Sequence, residues 1–371
     1  MSKAEKPSRA RAGRRAAGRP EGEAAEHAGG PKSAVKASES GTAGSAEAAG
    51  SATETGSVET AGAPAQAGSG EVAGRTGDGP GDGGRVRGPA RLAVRKTYKL
   101  YIGGAFPRSE SGRSYAVTSS RGDFLANASK ASRKDARDAV SAARKAFGGW
   151  SGATAYNRGQ ILYRVAEMLE GRRAQFAAEL AEAGTADPGR IVDAAVDRLV
   201  WYAGWSDKIA AVVGSANPVA GPYFNISSPE PTGVVAVVAP DEPLLGLVSV
   251  VAPVIVTGNT CVVIASERAP LPSITLAEVL ATSDLPGGVV NILTGSVREI
   301  APWLAGHMDV NAIDLTGVAD GGLAVACEEA AAENLKRVLR PAGATDWSAD
   351  PGTGRLTAFL ETKTVWHPTA V

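Results

Sequence analysis

Few side chains in this sequence could carry covalent or metal chemistry. The two cysteines, Cys261 and Cys327, and the three histidines, His27, His307 and His367, are scattered over 371 residues. A cysteine attacks carbonyls only as a thiolate, so it needs a base or a positive field beside it. Cys261 instead stands in Thr260-Cys-Val-Val-Ile264 and Cys327 in Leu323-Ala-Val-Ala-Cys327. Both contexts read as small buried hydrophobes. The spacings form neither a disulfide framework nor a zinc pattern, and no metal site is expected. Reduced thiols of this kind suit a cytoplasmic protein. What remains is backbone chemistry at Pro240, Ser266, Gly295 and Gly317, each of which closes an apolar run.

Those four residues need a frame, and the stretch from Gly233 to Pro341 supplies one. Gly233–Pro240, Asn259–Ser266, Gly288–Gly295, Val310–Gly317 and Leu335–Arg340 are short apolar runs. Helical segments at Ser273–Ser283, Glu299–Gly306 and Leu323–Glu333 separate the later ones. Apolar runs without polar alternation predict strands buried on both faces. Regular strand–helix alternation predicts an α/β fold, a parallel sheet doubly wound by helices. Ligands of such sheets sit at the C-terminal strand ends, where Pro240, Ser266, Gly295 and Gly317 fall.

The flanking sequence is read in the same way. Residues 1–95 are Gly, Ala, Ser, Glu and Pro with almost no large apolar side chain, which predicts a long disordered tail. Its basic start, Lys3 to Arg19, is soon interrupted by glutamates and reads as solvated. No apolar core follows it, so no secretory signal is expected. The longest apolar run, Pro243–Thr257, falls short of the roughly 18 residues a membrane span needs. The formal charge of +0 offers no global attraction for nucleic acid. From Lys96, a strand and turn at Tyr98–Phe106 and strands at Arg113–Thr118 and Asp123–Ala128 make a β-hairpin extension. Ser132 caps a helix that Gly148-Gly149 is expected to end. Long helices follow at Thr154–Ala183 and Ile191–Val213, and the proline-punctuated 213–232 reads as a protruding hairpin. Pro341–Gly354 reads as a loop, and Arg355–His367 as a short helix entering a strand.

Several pieces together resemble the N-terminal half of an aldehyde dehydrogenase. They are Tyr101-Ile-Gly-Gly-Ala-Phe106, Ala143-Arg-Lys-Ala-Phe-Gly-Gly-Trp150, Glu230-Pro-Thr-Gly-Val-Val235, Ala252-Pro-Val-Ile-Val-Thr-Gly-Asn-Thr260 and Asp284-Leu-Pro-Gly-Gly-Val-Val-Asn-Ile-Leu-Thr-Gly295. The tail Leu360-Glu-Thr-Lys-Thr-Val365 resembles the family's closing strand, which pairs between subunits. The resemblance implies a Rossmann-like cofactor domain over 96–341, with an oligomerisation hairpin at 213–232. Residues 342–371 would then be a linker and oligomerisation strand, the strand lying at 360–366. It implies NAD or NADP as cofactor, contacted at Ala239, Pro240, Ser266, Glu267, Gly295, Thr316 and Gly317.

The resemblance also implies an active site that this sequence does not repeat. The family's nucleophilic cysteine lies between the last cofactor-domain strand and the closing strand, an interval held here by Ala342–Gly354. Pro341 falls where its glutamate base is expected. Pro240-Asp-Glu-Pro243 carries no oxyanion-holding asparagine, Val250 replaces a lysine, and Ile264 replaces the ribose-binding lysine. Glu267 remains, whereas Val318 replaces the hydroxyl of the pyrophosphate turn Thr316–Gly322, and Asp320 puts a carboxylate beside it. Catalytic residues are therefore expected to be none and cofactor binding weak. Three functions stay open: a non-catalytic structural or regulatory subunit bound to a full-length aldehyde dehydrogenase or to itself; an oxidoreductase that borrows its nucleophile from a partner chain; and a scaffold tethered by its tail. Neither nucleic acid nor membrane is an expected partner.

Overall fold

The computed structural model describes residues 95–341 and 343–369. The reading of 1–95 as a disordered tail lies, but for Arg95, outside them. The extension begins with β1 (Thr97–Tyr98), β2 (Ser114–Thr118) and β3 (Phe124–Ser129), in the order β1-β3-β2. Helix α1 (Arg133–Gly152) follows, with Ser132 and Asp135 exchanging the two hydrogen bonds of a capping box. Gly148-Gly149 does not end it. The helix runs on to Gly152, with Trp150 buried and its Nε1–H donating to the Ile255 carbonyl at 2.8 Å. A tertiary anchor thus outweighs the weak helix propensity of two glycines.

The predicted 154–183 helix is two, α2 (Ala155–Glu170) and α3 (Arg173–Glu182), parted at Gly171-Arg172. Likewise 191–213 divides into α4 (Pro188–Trp205) and α5 (Ile209–Val213). The apolar stripe runs across both breaks, so its periodicity conceals them. A hairpin of β4 (Ser215–Asn217) and β5 (Tyr223–Pro231) comes next, as expected.

The main sheet contains β6 (Val234–Val238), β7 (Thr260–Ile264), β8 (Val290–Leu293), β9 (Ala312–Asp314) and β10 (Arg337–Leu339). All pairs are parallel, in the order β10-β9-β6-β7-β8. Helices α6 (Leu245–Val256), α7 (Leu271–Ala281), α8 (Val297–Gly306) and α9 (Gly321–Ala332) connect them. Val235, Val237, Cys261, Val263 and Ile292 enter a core shared with α2, α4, α6 and α7. Val234, Ala236, Val238, Val262 and Ile313 enter a second core with α1, α8 and α9. Successive residues point to opposite faces and both faces are covered, which is why these strands show no polar alternation.

Every residue of α6 is buried, so the helix has no polar face to mark it in the sequence. Pro253 inside it cannot donate to the Ser249 carbonyl one turn back. The Tyr202 hydroxyl donates to that oxygen instead, at 3.5 Å.

After β10 the chain forms α10 (Gly354–Thr357) and then β11 (Leu360–Pro368), the predicted short helix and strand. β11 pairs antiparallel with β5 of the same chain, from Leu360 opposite Pro231 to Pro368 opposite Tyr223. The resemblance implied pairing between subunits; here one edge of the strand is satisfied within the chain. Its outer edge meets no other strand among the described residues. β5 is central, yet Pro229 and Pro231 lie beyond the end of its pairing with β4 at Ser227, on a stretch with a single neighbour. That position tolerates the missing N–H.

Candidate functional site

The chain passes from β6 outward to β8, then returns to the other side of β6 to lay down β9 and β10. Ligand crevices of open α/β sheets form where the order reverses in this way. Here that point lies between the C-terminal ends of β6 and β9. Gly317 donates its N–H to the Val238 carbonyl at 3.1 Å. A Cβ on Gly317 would stand 2.1 Å from the Ala239 oxygen, so only glycine fits. Ala239 in turn donates to the Ile264 carbonyl at 2.9 Å.

Ser266, at the end of β7, is drawn to the same place. Its hydroxyl donates to Asp241 Oδ1 at 2.8 Å and accepts from the N–H groups of Arg268 and Ala269 at 3.2 and 3.3 Å. Ala239, Pro240, Ser266, Thr316 and Gly317 therefore lie together around the end of β6. Glu267 and Gly295 lie toward β8. Gly295 has φ +127° and backs on the Lys130-Ala131 backbone, where a Cβ would come within 3.0 Å of the Ala131 nitrogen. Its role there is steric.

The helix starts facing this end of the sheet are met by side-chain carboxylates. In the turn Thr316–Gly322, where the sequence put a carboxylate beside the helix start, Asp320 Oδ1 accepts from Gly322 and Leu323 at 2.9 and 3.3 Å, and Arg298 pairs with its other oxygen. Those two N–H groups, Leu323's foremost, together with Arg298, hold the Asp320 carboxyl below the usual carboxylate range. Glu267, expected to meet a ribose, accepts from the Val297 N–H at the start of α8. Glu242 accepts from the Gly246 N–H in the first turn of α6. Its second oxygen is buried without a protein partner, and burial pushes this carboxyl above the ordinary glutamate range.

Thr316 is committed too. Its N–H and hydroxyl both donate to Asp314 Oδ1, the former at 2.9 Å. Asp314 is fully buried, and Arg355 of α10 reaches it, Nη1 lying 2.8 Å from Oδ2. Arg355 Nη2 donates to the Thr316 hydroxyl at 3.0 Å, and its guanidinium lies 5.4 Å from the Trp347 ring centre. Arg198 of α4, itself buried, donates to the carbonyls of Trp347 and Ala349 at 2.7 and 2.9 Å and to Ser249 Oγ at 2.9 Å. Leu356 and Phe359 are buried in the same core as α6. The segment between β10 and β11, which reads as a loop, is thus docked against α4, α6 and the end of β9. One signal in the sequence pointed to this. Asp314 is a carboxylate inside an apolar strand, and such a charge requires a partner.

Both thiols are fully buried. Burial pushes Cys327 up to about 11 and Cys261 higher still. Among the described residues no group of His, Cys, Asp and Glu is placed to hold a metal ion. No helix there is long and apolar enough to cross a membrane.

Comparison with known proteins places this geometry. Residues 106–347 match the model of the aldehyde dehydrogenase family. The chain is 33% identical over 265 residues to retinal dehydrogenase 2 of Gallus gallus, covering 68% of this chain and 49% of that one. It is 32% identical over 255 residues to cytosolic aldehyde dehydrogenase 1 of Elephantulus edwardii, covering 66% and 50%. Among solved structures, the NAD+ complex of an aldehyde dehydrogenase from Bacillus cereus superposes with a TM-score of 0.61 at 28% identity, covering 66% of this chain and 50% of that one. The chain spans about half the length of these relatives.

Proposed function

This chain belongs to the aldehyde dehydrogenase family, and from that premise we propose that it is a non-catalytic member, a structural or regulatory subunit of an aldehyde dehydrogenase assembly. The observation that carries the reading is the short docked segment joining β10 to β11. Aldehyde oxidation by this family needs a thiolate to attack the carbonyl, donors for the oxyanion, a base for water and a cofactor to take hydride. The two thiols here are sealed in the core. Pro341 stands where a carboxylate base would be, and Asp241-Glu242 where an amide would be. In the interval where a nucleophile would lie, the Trp347 and Ala349 carbonyls are held by the buried Arg198 of this chain's own α4, and Arg355 and Leu356 anchor the segment just after it.

NAD or NADP is the cofactor the family implies. When bound, it supplies the hydride acceptor. The main-chain frame suits it: Gly317 lies close on Ala239 and leaves the β6–β9 crevice free of a Cβ. The side chains suit it less, since Val318 brings no hydroxyl, Ile264 no ammonium, and Glu267 is engaged at α8. Weak binding follows from this set. A reducing cytoplasm suits the two free thiols.

The partner surface in this reading is the sheet β11-β5-β4. Its outer strand offers unpaired N–H and C=O groups, which favour addition of a further strand. Tyr223, Phe224 and Trp366 are exposed on the same sheet, and the Tyr223 and Trp366 rings meet edge to face at 5.7 Å. Co-expression with a full-length aldehyde dehydrogenase of the same genome, followed by size-exclusion chromatography, tests the reading. Co-elution, or self-association of this chain, is the expected result. Separate monodisperse peaks with this chain monomeric would overturn it. Appearance of dehydrogenase turnover in a mixture of this chain with a nucleophile-bearing partner chain would replace it with a two-chain enzyme.

A further inference from the structure

Two cavities share Arg113, the residue just before β2. The larger, of about 700 Å³, lies between the start of α1 and α8, against Arg113, Arg133, Arg298, Glu299, Pro302 and Trp303. The smaller, of about 230 Å³, lies on the β1-β3-β2 sheet. Arg108, Arg113, Thr97, Ser114 and Ser129 line it, and no carboxylate does. The charges here do not balance. Lys130 and Arg113 both turn to Glu299, at 2.5 and 3.5 Å, and Arg298 pairs with Asp320. Among the described residues no carboxylate pairs with Arg108 or Arg133. Glu110 is taken by Lys134 and Asp138 by Arg137. Asp135 accepts from the Ser109 hydroxyl and from the N–H groups of Glu110 and Ser132. Arg108, Arg113, Lys130 and Arg133 therefore have only Glu299 between them. An anion entering this place relieves their mutual repulsion.

An aromatic ring completes the larger cavity. Trp303 is half-buried, packing on the second core while it also lines the cavity. His307, one turn further along α8, meets the indole edge to face at 4.7 Å between ring centres. Guanidinium forks match phosphate oxygens, and an indole gives a flat apolar group a surface to lie on. A bare phosphate would use only the first of these features. The larger cavity falls within the range of about 300–1,000 Å³ usual for small-molecule sites. We infer that the joined cavities bind a nucleoside polyphosphate, its base against Trp303 and its phosphates among Arg108, Arg113 and Arg133. The site shares no lining residue with the cluster at the end of β6. The inference goes beyond the subunit reading and does not depend on it.

The test titrates ATP, adenosine and inorganic triphosphate into the full chain by calorimetry. ATP should bind about tenfold or more tightly than either fragment, since adenosine lacks the charges and triphosphate lacks the base. Arg133→Gln removes no ion pair of the fold. It should weaken ATP about tenfold or more, the worth of one charge-assisted contact, and leave adenosine unchanged. Trp303→Leu should bring ATP down to the level of triphosphate. Added salt should weaken ATP and spare adenosine. Thermal melting checks that each variant is folded; should Trp303→Leu not fold, the ratio of ATP to triphosphate affinity in the parent decides the role of the base. Three results would each overturn the assignment: no binding of ATP at millimolar concentration, equal affinity for ATP and triphosphate, or ATP binding indifferent to Arg133→Gln. The last would place the nucleotide elsewhere on the chain. None of these results bears on co-elution with a full-length dehydrogenase.

Discussion

Replacing Arg355 with methionine tests the docked segment at its most exacting point. Asp314 is fully buried, and its Oδ2 faces the Arg355 guanidinium at 2.8 Å. Removing one partner of a buried ion pair costs about 3–5 kcal/mol, because the other charge is left desolvated and alone. Thr316 still donates its N–H and hydroxyl to Oδ1, which places Arg355→Met at the lower end, about 3 kcal/mol. At about 2–4 °C per kcal/mol for a domain of this size, Tm should fall by about 6–12 °C. The opposite single change should cost less, since the Arg355 side chain is 21% exposed and can turn to water. The double change Asp314→Leu with Arg355→Met removes both charges and should recover most of the loss, as apolar replacements of buried pairs generally do. Urea and thermal denaturation of the four proteins complete the cycle. An Arg355→Met protein within about 1 kcal/mol of the parent would refute the claim that the segment is latched to the sheet through this pair.

Other consequences can be checked singly. Native protein mixed with a thiol reagent at neutral pH should show no fast-reacting cysteine and two on denaturation; rapid labelling of the folded chain would contradict the burial of Cys261 and Cys327. Gly317→Ala should destabilise by at least about 1–3 kcal/mol, read by urea midpoint, because its Cβ would stand 2.1 Å from the Ala239 oxygen. The Glu242 carboxyl is raised by burial, so its contribution to stability is greatest below the usual glutamate range and is lost as pH rises through its elevated folded-state value. Glu242→Gln, which keeps an acceptor for Gly246, should therefore be more stable than the parent at neutral pH, with the advantage vanishing in acid; an advantage independent of pH would point to packing instead.

Much of this was legible from residue pattern. Unbroken apolar runs such as Val234–Val238 and Thr260–Ile264 announce a parallel sheet covered on both faces, and they fold as strands at those places. Ser132 was expected to cap a helix and does so, with Asp135 completing a capping box. The ends of α1 and the breaks after Glu170 and Trp205 were not legible, because they depend on tertiary anchors such as Trp150 on Ile255 and not on local propensity. At the site, the glycine of Thr316-Gly317 and the strand-end residues were foreseeable, since only backbone geometry is involved. The Asp320 carboxylate beside that turn was foreseeable as well, but the Glu242 and Glu267 contacts were not: whether Glu267 reaches a ligand or the Val297 N–H is decided by a loop–helix distance that no spacing rule supplies. The ion pair of Asp314 with Arg355 joins residues far apart in sequence, and only the unexplained charge in β9 hinted at it.

The most direct measurement is turnover by the purified chain alone. The chain is incubated with NAD and with NADP against a panel of short, branched and aromatic aldehydes, and reduced nicotinamide is followed by its fluorescence. The account predicts a signal indistinguishable from a control without protein. Saturable reduction with any aldehyde, proportional to protein concentration and lost on heating, would contradict it.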